Sequence, residues 1–273
     1  MTRPSQQTGL TAAGPPVRTL IVTCGRSGSS LLAAIMADAG AEFGMPTPDR
    51  WDQGAGVMEH PLAIAAGWKY ERAWQIRGGR RFFLGYKYLA DARVGLAKRD
   101  LRRLLAEVDT VKGPRSDLWV PDLPKLGYVP NIVVPFAPPG EVARSFLMKA
   151  KQRWDDTRSD YLRANRNALL YLQSFGGCAV ALRDLTDRES ITWARALASA
   201  TGLDVAALIE ARNRRVTKAA IDRAPSGRPS AVDLGDLEVE AVHDALSAVR
   251  DRHVPASRQA FRRFGLSGQV SAG

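Results

Sequence analysis

The segment that most constrains this chain is an apolar run followed at once by a glycine-rich turn and a helix-forming stretch. It reads Leu20-Ile21-Val22-Thr23-Cys24-Gly25-Arg26-Ser27-Gly28-Ser29-Ser30-Leu31-Leu32. Gly25 and Gly28 allow the backbone to turn sharply and to approach a ligand closely. The free N–H groups at the start of the next helix, together with the helix dipole, favour an anion. Ser29 and Ser30 can add hydroxyl donors, so the segment predicts an anion site between a strand and a helix.

Length and composition favour one globular α/β domain. The chain has 273 residues, of which 45% are apolar and 25% charged, and we assign the domain to residues 17–250. Residues 1–16 are polar and lack the apolar core of a secretion signal, so we interpret them as a disordered arm. Residues 251–273 are interpreted as a C-terminal tail. No apolar run approaches the roughly 20 residues that span a bilayer, and we expect a cytoplasmic protein.

The formal net charge of +11 is consistent with nucleic acid, an anionic membrane surface or a polyanionic small ligand as partner. The basic residues are spread over many segments with acidic neighbours, and no nucleic-acid motif is present. We therefore expect no nucleic acid, and either a solvated basic surface or a basic pocket for a ligand with several phosphates. Cys24 and Cys178 are interpreted as buried reduced thiols, and the three histidines are too far apart in sequence for a metal cluster. A homodimer stays open.

Short apolar strands alternate with helices along the chain. Strands are predicted at 19–23, 110–112, 131–136 and 178–182. Helices are predicted at 29–39, from about 61, at 98–108, from 139, and at 161–174, 189–200 and 237–249. This alternation predicts a mostly parallel central sheet covered by helices on both faces.

The glycine loop lacks the Gly-Lys-Ser/Thr ending of nucleotide triphosphatases and instead resembles the 5′-phosphosulfate loop of bacterial sulfotransferases that use 3′-phosphoadenosine 5′-phosphosulfate (PAPS). In those enzymes a basic residue precedes Ser-Gly and two hydroxyl residues, as Arg26 does here. Further resemblances follow in the family's order. They are Lys112-Gly113-Pro114-Arg115, the strand, turn and helix from Val133 to Ser145, and Val180-Ala181-Leu182-Arg183-Asp184-Leu185 followed by a helix and Gly202-Leu203.

The resemblance implies a three-layer P-loop-like α/β fold and PAPS as cofactor. The reaction would move a sulfuryl group to a hydroxyl or amine of a small-molecule or glycan acceptor. Arg26 would neutralise the leaving 5′-phosphate. The cofactor-binding residues would be Gly25, Arg26, Ser27, Gly28, Ser29, Ser30, Arg144 and Ser145.

The family holds the 3′-phosphate with an arginine and a serine eight positions apart. Here Ser145 matches the serine, but Ala137 stands at the arginine position. Arg144, on the same helix start, is the first substitute cation. The second is a late basic patch of Arg212, Arg214, Arg215 and Lys218, for which a solvated face is the alternative.

An acceptor hydroxyl needs a general base. Glu59 resembles a glutamate that bacterial relatives carry in this region, and His60 is the alternative. Helix capping ahead of Pro61 would explain both residues without catalysis. Lys112 and Arg115 either complete the basic pocket or brace the structure.

The aromatic residues of the next segment either shape an acceptor site or pack in the core. They are Trp51, Trp68, Trp74, Phe82, Phe83, Tyr86 and Tyr88. Two other functions remain open, namely a P-loop kinase and a non-enzymatic binding protein with the same fold. The absent lysine disfavours the kinase, and Ala137 leaves the binding protein open.

Overall fold

The structure is a computed structural model that describes residues 16–44, 58–78, 84–216 and 234–257. Its centre is a five-stranded sheet in the order β2-β1-β3-β4-β5. The strands are β1 (Val17–Ile21), β2 (Thr110–Lys112), β3 (Val129–Phe136), β4 (Gly177–Ala181) and β5 (His253–Val254). Strands β1 to β4 run parallel and β5 is antiparallel to β4. The predicted α/β class with a mostly parallel sheet is confirmed.

Helices connect and cover the strands. They are α1 (Ser29–Asp38), α2 (Pro61–Gly78), α3 (Leu84–Glu107), α4 (Ser116–Trp119), α5 (Pro139–Ser145), α6 (Trp154–Phe175), α7 (Leu182–Thr186), α8 (Thr192–Thr201), α9 (Val205–Arg215) and α10 (Leu237–Ala248). Two 3₁₀ turns, Val120–Asp122 and Pro124–Leu126, follow α4, and a π-helical turn, Phe146–Ala150, continues α5. Within the described ranges, no helix is both long and apolar enough to cross a bilayer.

The pleat of the strands divides the core between the two faces of the sheet. Leu20 of β1 and Val134 of β3 point to the face covered by α3 and α6. Their neighbours Ile21 and Val133 point to the face covered by α1, α8 and α9. Successive side chains of a strand alternate between faces, and every residue of β4 is buried. The strands therefore carry continuous apolar runs, which is typical of a parallel sheet covered on both sides.

Strand β1 lies between β2 and β3. After β1 the chain therefore first forms β2 on one side of it and later forms β3 on the other side. The register pairs Leu20 with Val111 on one side and with Ile132 on the other. Such a reversal opens a crevice outside the carboxyl ends of the strands, where α/β proteins bind ligands. The glycine loop, which follows β1 directly, lies at this crevice.

Several boundaries differ from the predictions. Strand β1 begins and ends two residues before the predicted 19–23, and Leu182 begins α7 instead of ending β4. Helix α3 begins at Leu84, well before 98. Helix α9 was not predicted, because its last two turns are mostly charged and polar.

The folded chain also extends beyond residue 250. His253 and Val254 were assigned to the tail, yet they form β5 and pair with Cys178 and Gly177 of β4. A two-residue strand carries too little pattern to be recognised in the sequence. Residues 1–15, in the predicted arm, and the predicted loop 224–233 lie outside the described residues.

Candidate anion site at the carboxyl end of β1

The loop 22–28 has the backbone that its glycines predict. Gly25 and Gly28 have φ angles of 82° and 85°, and Gly28 is the N-cap residue of α1. A β-carbon at Gly28 would lie 2.5 Å from Leu182 Cδ1, so a side chain there would force Leu182 to move as well as strain the backbone. The Gly25 N–H donates to Thr23 Oγ1 at 3.2 Å, and Thr23 and Ser27 are joined through their hydroxyls. The loop is thus held as a tight turn that ends at a helix N-terminus.

Arg26 connects this loop to the segment that follows β3. Its Nε donates to Ser145 Oγ at 3.0 Å, and its backbone is left-handed, with φ of 55°. Left-handed backbone is uncommon for a residue with a side chain. The half-buried guanidinium makes no other hydrogen bond or ion pair within the described part of the chain. Its remaining donors are therefore available to an anion in the crevice.

Lys112 brings a second cation to the loop from the end of β2. Its Nζ donates to Ser30 Oγ at 3.2 Å and lies 3.3 Å from Glu59 Oε1. The Lys112 side chain is only 3% exposed, and Glu59 forms a parallel bridge with Lys112 through the backbone. A buried ammonium group requires a partner. The carboxylate of Glu59 and the first turn of α1 are therefore held together by Lys112.

Of the two candidate bases, Glu59 lies at the loop and His60 has a capping role. The Nδ1 atom of His60 accepts a hydrogen bond of 3.1 Å from the Leu62 N–H in the first turn of α2. This bond satisfies a free N–H group of that helix, as N-terminal capping requires. Glu59 is directed to Lys112 instead, so it is the carboxylate adjacent to the predicted phosphosulfate loop.

The arginine position that Ala137 occupies is closed. Ala137 is 2% exposed and packs in an apolar cluster with Val142, Tyr161, Val239 and others. Arg144 is half-buried and makes no polar contact with a described residue, while the neighbouring Ser145 is bonded to Arg26.

All three described residues of the late basic patch are engaged in hydrogen bonds or ion pairs within the protein. Arg212 is 1% exposed and donates to the backbone carbonyls of Asp187 and Arg188. Arg214 pairs with Glu210 at 2.8 Å, and Arg215 pairs with Asp38 at 2.7 Å, whereas Lys218 lies outside the described residues. The expectation of a solvated face is therefore wrong for Arg212, whose guanidinium closes the turn between α7 and α8.

The two basic residues of the segment Lys112-Gly113-Pro114-Arg115 make contacts in different parts of the structure. Lys112 is directed to the loop, whereas Arg115 forms ion pairs of 2.8 Å with both Glu71 and Asp160. Those carboxylates raise the pKa of Arg115, although burial acts in the opposite direction. A β-carbon at Gly113 would lie 2.8 Å from Ala63 Cβ. The glycine thus allows α2 to pack closely on the turn.

The two cysteines are free thiols, as predicted, but only Cys178 is buried, whereas Cys24 is half-buried. Burial raises the pKa of each to about 12, for Cys24 in the loop and for Cys178 in β4. A thiol with such a pKa supplies almost no thiolate at neutral pH. The sequence pattern did not reveal that the buried Asn165 of α6 acts on the Cys24 thiol and opposes the rise of its pKa, since a lone asparagine in a helix carries no motif.

The aromatic residues of α2 and α3 that the structure describes are mostly on the surface. Trp68 is 55% exposed, Trp74 is 52% exposed and Tyr88 is also exposed. Core packing is therefore wrong for these three. Trp51, Phe82 and Phe83 lie outside the described residues.

Within the described ranges, no group of three histidine, cysteine or carboxylate residues could hold a metal ion. The arrangement at β1 is instead one of hydroxyls, a helix N-terminus and two cations, which is suited to a phosphate or sulfate group. No protein-family model, curated protein or solved structure matches this chain.

Proposed function

We propose that the crevice at the carboxyl end of β1 binds the phosphosulfate of PAPS, and that the protein is a sulfotransferase with a three-layer P-loop-like fold. The observation that carries this proposal is the Arg26–Ser145 hydrogen bond of 3.0 Å. It anchors the guanidinium of a residue in the loop that leads into α1, and Lys112 contacts Ser30 in the first turn of that helix. Two cations, one in the loop and one at the end of β2, thus belong to the segments around the N-terminus of α1.

The chemistry is an in-line displacement, in which the protein mainly positions the partners and neutralises charge. An acceptor hydroxyl or amine attacks sulfur, the bond between sulfur and the 5′-phosphate oxygen breaks, and 3′-phosphoadenosine 5′-phosphate leaves. Arg26 stabilises the charge that develops on the leaving phosphate. Glu59 receives the proton of the acceptor, and Lys112 holds the Glu59 carboxylate beside the loop.

The acceptor is proposed to be a small molecule or a glycan. A cytoplasmic location and a homodimer stay predictions of the sequence. A P-loop kinase is disfavoured because no lysine directly precedes Ser29 and Ser30.

A second function, binding without transfer, is favoured by one specific observation. Ala137 is enclosed by apolar side chains, and a 3′-phosphate dianion without a cation would be costly to bury. A relative that has lost this contact could keep the anion site but not the enzyme's cofactor. This alternative and the sulfotransferase differ in whether the 3′-phosphate contributes to binding.

Thermal unfolding separates these functions. We expect 3′-phosphoadenosine 5′-phosphate alone to raise the melting temperature, because a ligand that binds only the folded state stabilises it. Stabilisation by ATP with Mg²⁺ alone would support the kinase, and equal stabilisation by 3′-phosphoadenosine 5′-phosphate and adenosine 5′-phosphate would support the binding protein. The matched pair Arg26→Ala and Arg153→Ala locates the effect, since Arg153 is exposed and bonded only to Asp155 within the described residues. Only the Arg26 variant should lose the shift.

A further inference from the structure

A cavity of about 580 Å³ lies between α2, α4 and α6. Its volume is within the range of small-molecule sites, which is about 300–1,000 Å³. None of its lining residues belongs to the loop 22–28. The residues that matter for its chemistry are Trp74, Asp117, Ser159, Asp160, Arg163 and Asn167.

The terminal nitrogens of two guanidinium groups at or beside this cavity are already paired with carboxylates. Arg115 bridges Glu71 and Asp160, at 2.8 Å from each. Arg163 bridges Asp160, at 3.0 Å, and the buried Asp117. Among the described residues, two guanidinium groups thus serve three carboxylates, and the Arg163 Nε atom, which has no partner, is buried away from a ligand. Bringing an anion to this net negative group would be unfavourable.

The acidic groups are occupied as well. Asp160 uses Oδ2 for Arg115 and Oδ1 for Arg163, so a cationic ligand would have to displace a guanidinium. Arg163 also covers the Trp74 ring, with its Cζ atom 5.3 Å from the ring centroid. A cation therefore finds neither a free carboxylate nor an uncovered cation–π site on that face. The cavity is suited to a neutral ligand.

What remains for a ligand is a set of groups that both donate and accept hydrogen bonds, beside an aromatic surface. The Ser159 hydroxyl makes no hydrogen bond to another described residue, and the Asn167 amide is only weakly engaged, at 3.5 Å from Asp117 Oδ2. Trp74 is half exposed. Hydroxyl and amide groups are satisfied by partners that can act as both donor and acceptor, and an indole ring packs against an apolar face.

We propose that this cavity binds a neutral, polyhydroxylated ligand of the saccharide class, with the C–H face of the sugar ring on Trp74. Ring hydroxyls of the ligand exchange hydrogen bonds with Ser159 and Asn167. The Arg115–Asp160–Arg163 ion pairs fix the positions of the surrounding walls. This site does not depend on the proposed function, since no residue of the anion loop takes part in it.

The test is saturation-transfer NMR on the full chain with cellobiose and maltose as probes. Glucuronate and glucosamine serve as the anionic and cationic comparisons. We expect transfer to at least one neutral disaccharide, and less to either charged sugar. Trp74→Ala should raise the dissociation constant tenfold or more. Trp68→Ala is the matched control, because Trp68 lies on the same helix and is equally exposed, but does not line the cavity.

A second variant, Ser159→Phe, fills the cavity from an exposed helix position and should also abolish transfer, while circular dichroism confirms that the variant is folded. The proposal is overturned if neither neutral disaccharide shows transfer, if a charged sugar binds more tightly, or if Trp68→Ala weakens binding as much as Trp74→Ala. The probes contain no sulfate or phosphate. A failure of sulfuryl transfer from PAPS therefore leaves this result unchanged.

Discussion

Arg26 and Ser145 lie 119 residues apart in the chain and are joined by a hydrogen bond of 3.0 Å from Nε to Oγ. The bond crosses the switch point of the sheet, from the loop after β1 to the helix after β3. It fixes the side chain of a residue whose backbone is left-handed. An anion bound to Arg26 is thereby coupled to the position of α5.

The first prediction concerns the charge of Arg26. Arg26→Ala should lower the rate of sulfuryl transfer by an amount equivalent to about 2.7–4 kcal/mol, because the leaving phosphate loses its stabilising donor. Steady-state kinetics with PAPS measures the loss, and the unfolding transition should stay cooperative. Arg153→Ala should leave the rate unchanged. Near-normal turnover by folded Arg26→Ala would remove Arg26 from the mechanism.

The second prediction assigns the general base. Glu59→Gln should reduce turnover by roughly 10²- to 10⁴-fold, with little change in the affinity for 3′-phosphoadenosine 5′-phosphate. His60→Ala should act mainly on stability, because His60 Nδ1 accepts from the Leu62 N–H. Turnover and unfolding are measured for both variants. If His60→Ala stops turnover while Glu59→Gln does not, the base is His60.

The third prediction concerns the close approach of the loop to α7. Gly28→Ala should destabilise the protein by roughly 1–2 kcal/mol from the left-handed backbone alone, and by a further 1–3 kcal/mol from the overlap with Leu182 Cδ1. Gly40→Ala is the matched control, with φ of 102° and no atom within 4 Å of the added β-carbon. Urea unfolding should show the larger loss at Gly28.

The overlap can be isolated by a double substitution. Leu182→Ala added to Gly28→Ala should recover part of the loss, since it removes the overlapping methyl group but not the backbone strain. Additive effects of the two substitutions would contradict the contact.

The glycine turn between β1 and α1 could be predicted from sequence because its signal is local. Two glycines between an apolar run and a helix specify the turn, and the structure has both glycines at positive φ. The roles of Arg212 and Ala137 could not be predicted in this way. The first depends on carbonyl groups of another turn, and the second on the packing of α6 and α10. A basic residue in a sequence does not reveal which acceptor it will meet.

The ends of helices also depend on contacts that the local sequence does not reveal. Helix α3 begins before its amphipathic part, and Asp91 in this earlier part forms an ion pair of 2.6 Å with Arg77 of α2, which is a tertiary contact. The cavity beside Trp74 could not be predicted either, because the ion pairs of Arg115 and Arg163 around it have partners on three helices.

A carboxylate pair joins α7 to the segment before β5. The carboxylates of Asp184 and Asp251 act on each other electrostatically, and Arg250 Nε lies 3.5 Å from Asp184 Oδ2 and 3.3 Å from Asp251 Oδ2. Burial, with the nearby Asp251, raises the pKa of Asp184 from 3.8 to about 6. Burial also raises the pKa of Asp251.

The fourth prediction follows from this raised pKa. The folded state binds more protons than the unfolded state between about pH 4 and pH 6, so the free energy of unfolding falls as pH rises through this window. Asp184→Asn should remove much of that fall and stabilise the protein at pH 7 by about 1–3 kcal/mol, since each pKa unit is worth about 1.4 kcal/mol. Denaturation at pH 4.5 and pH 7 measures it. In the exposed control Asp155→Asn, the free energy of unfolding should change with pH as it does in the wild type. If the wild type gains stability from pH 4.5 to pH 7 relative to Asp184→Asn, the predicted direction of the pH dependence is wrong.

The last prediction concerns the 3′-phosphate. Of the substitute cations that the sequence suggested, Arg212, Arg214 and Arg215 are bonded elsewhere, whereas Arg144 has no polar partner among the described residues. If PAPS is the cofactor, the wild type should bind 3′-phosphoadenosine 5′-phosphate at least tenfold more tightly than adenosine 5′-phosphate, since one charge-assisted bond contributes about 1.5–3 kcal/mol. Arg144→Ala should erase this preference in calorimetric titrations, and the matched Arg153→Ala should keep it.

Ala137→Arg should not restore a site, because a guanidinium at this buried apolar position would lack a partner and would overpack the cluster. The Ala137→Arg protein should therefore unfold at a lower urea concentration than the wild type. A folded Ala137→Arg protein with raised affinity would show that the cluster opens, and a wild type without the preference would favour binding without transfer.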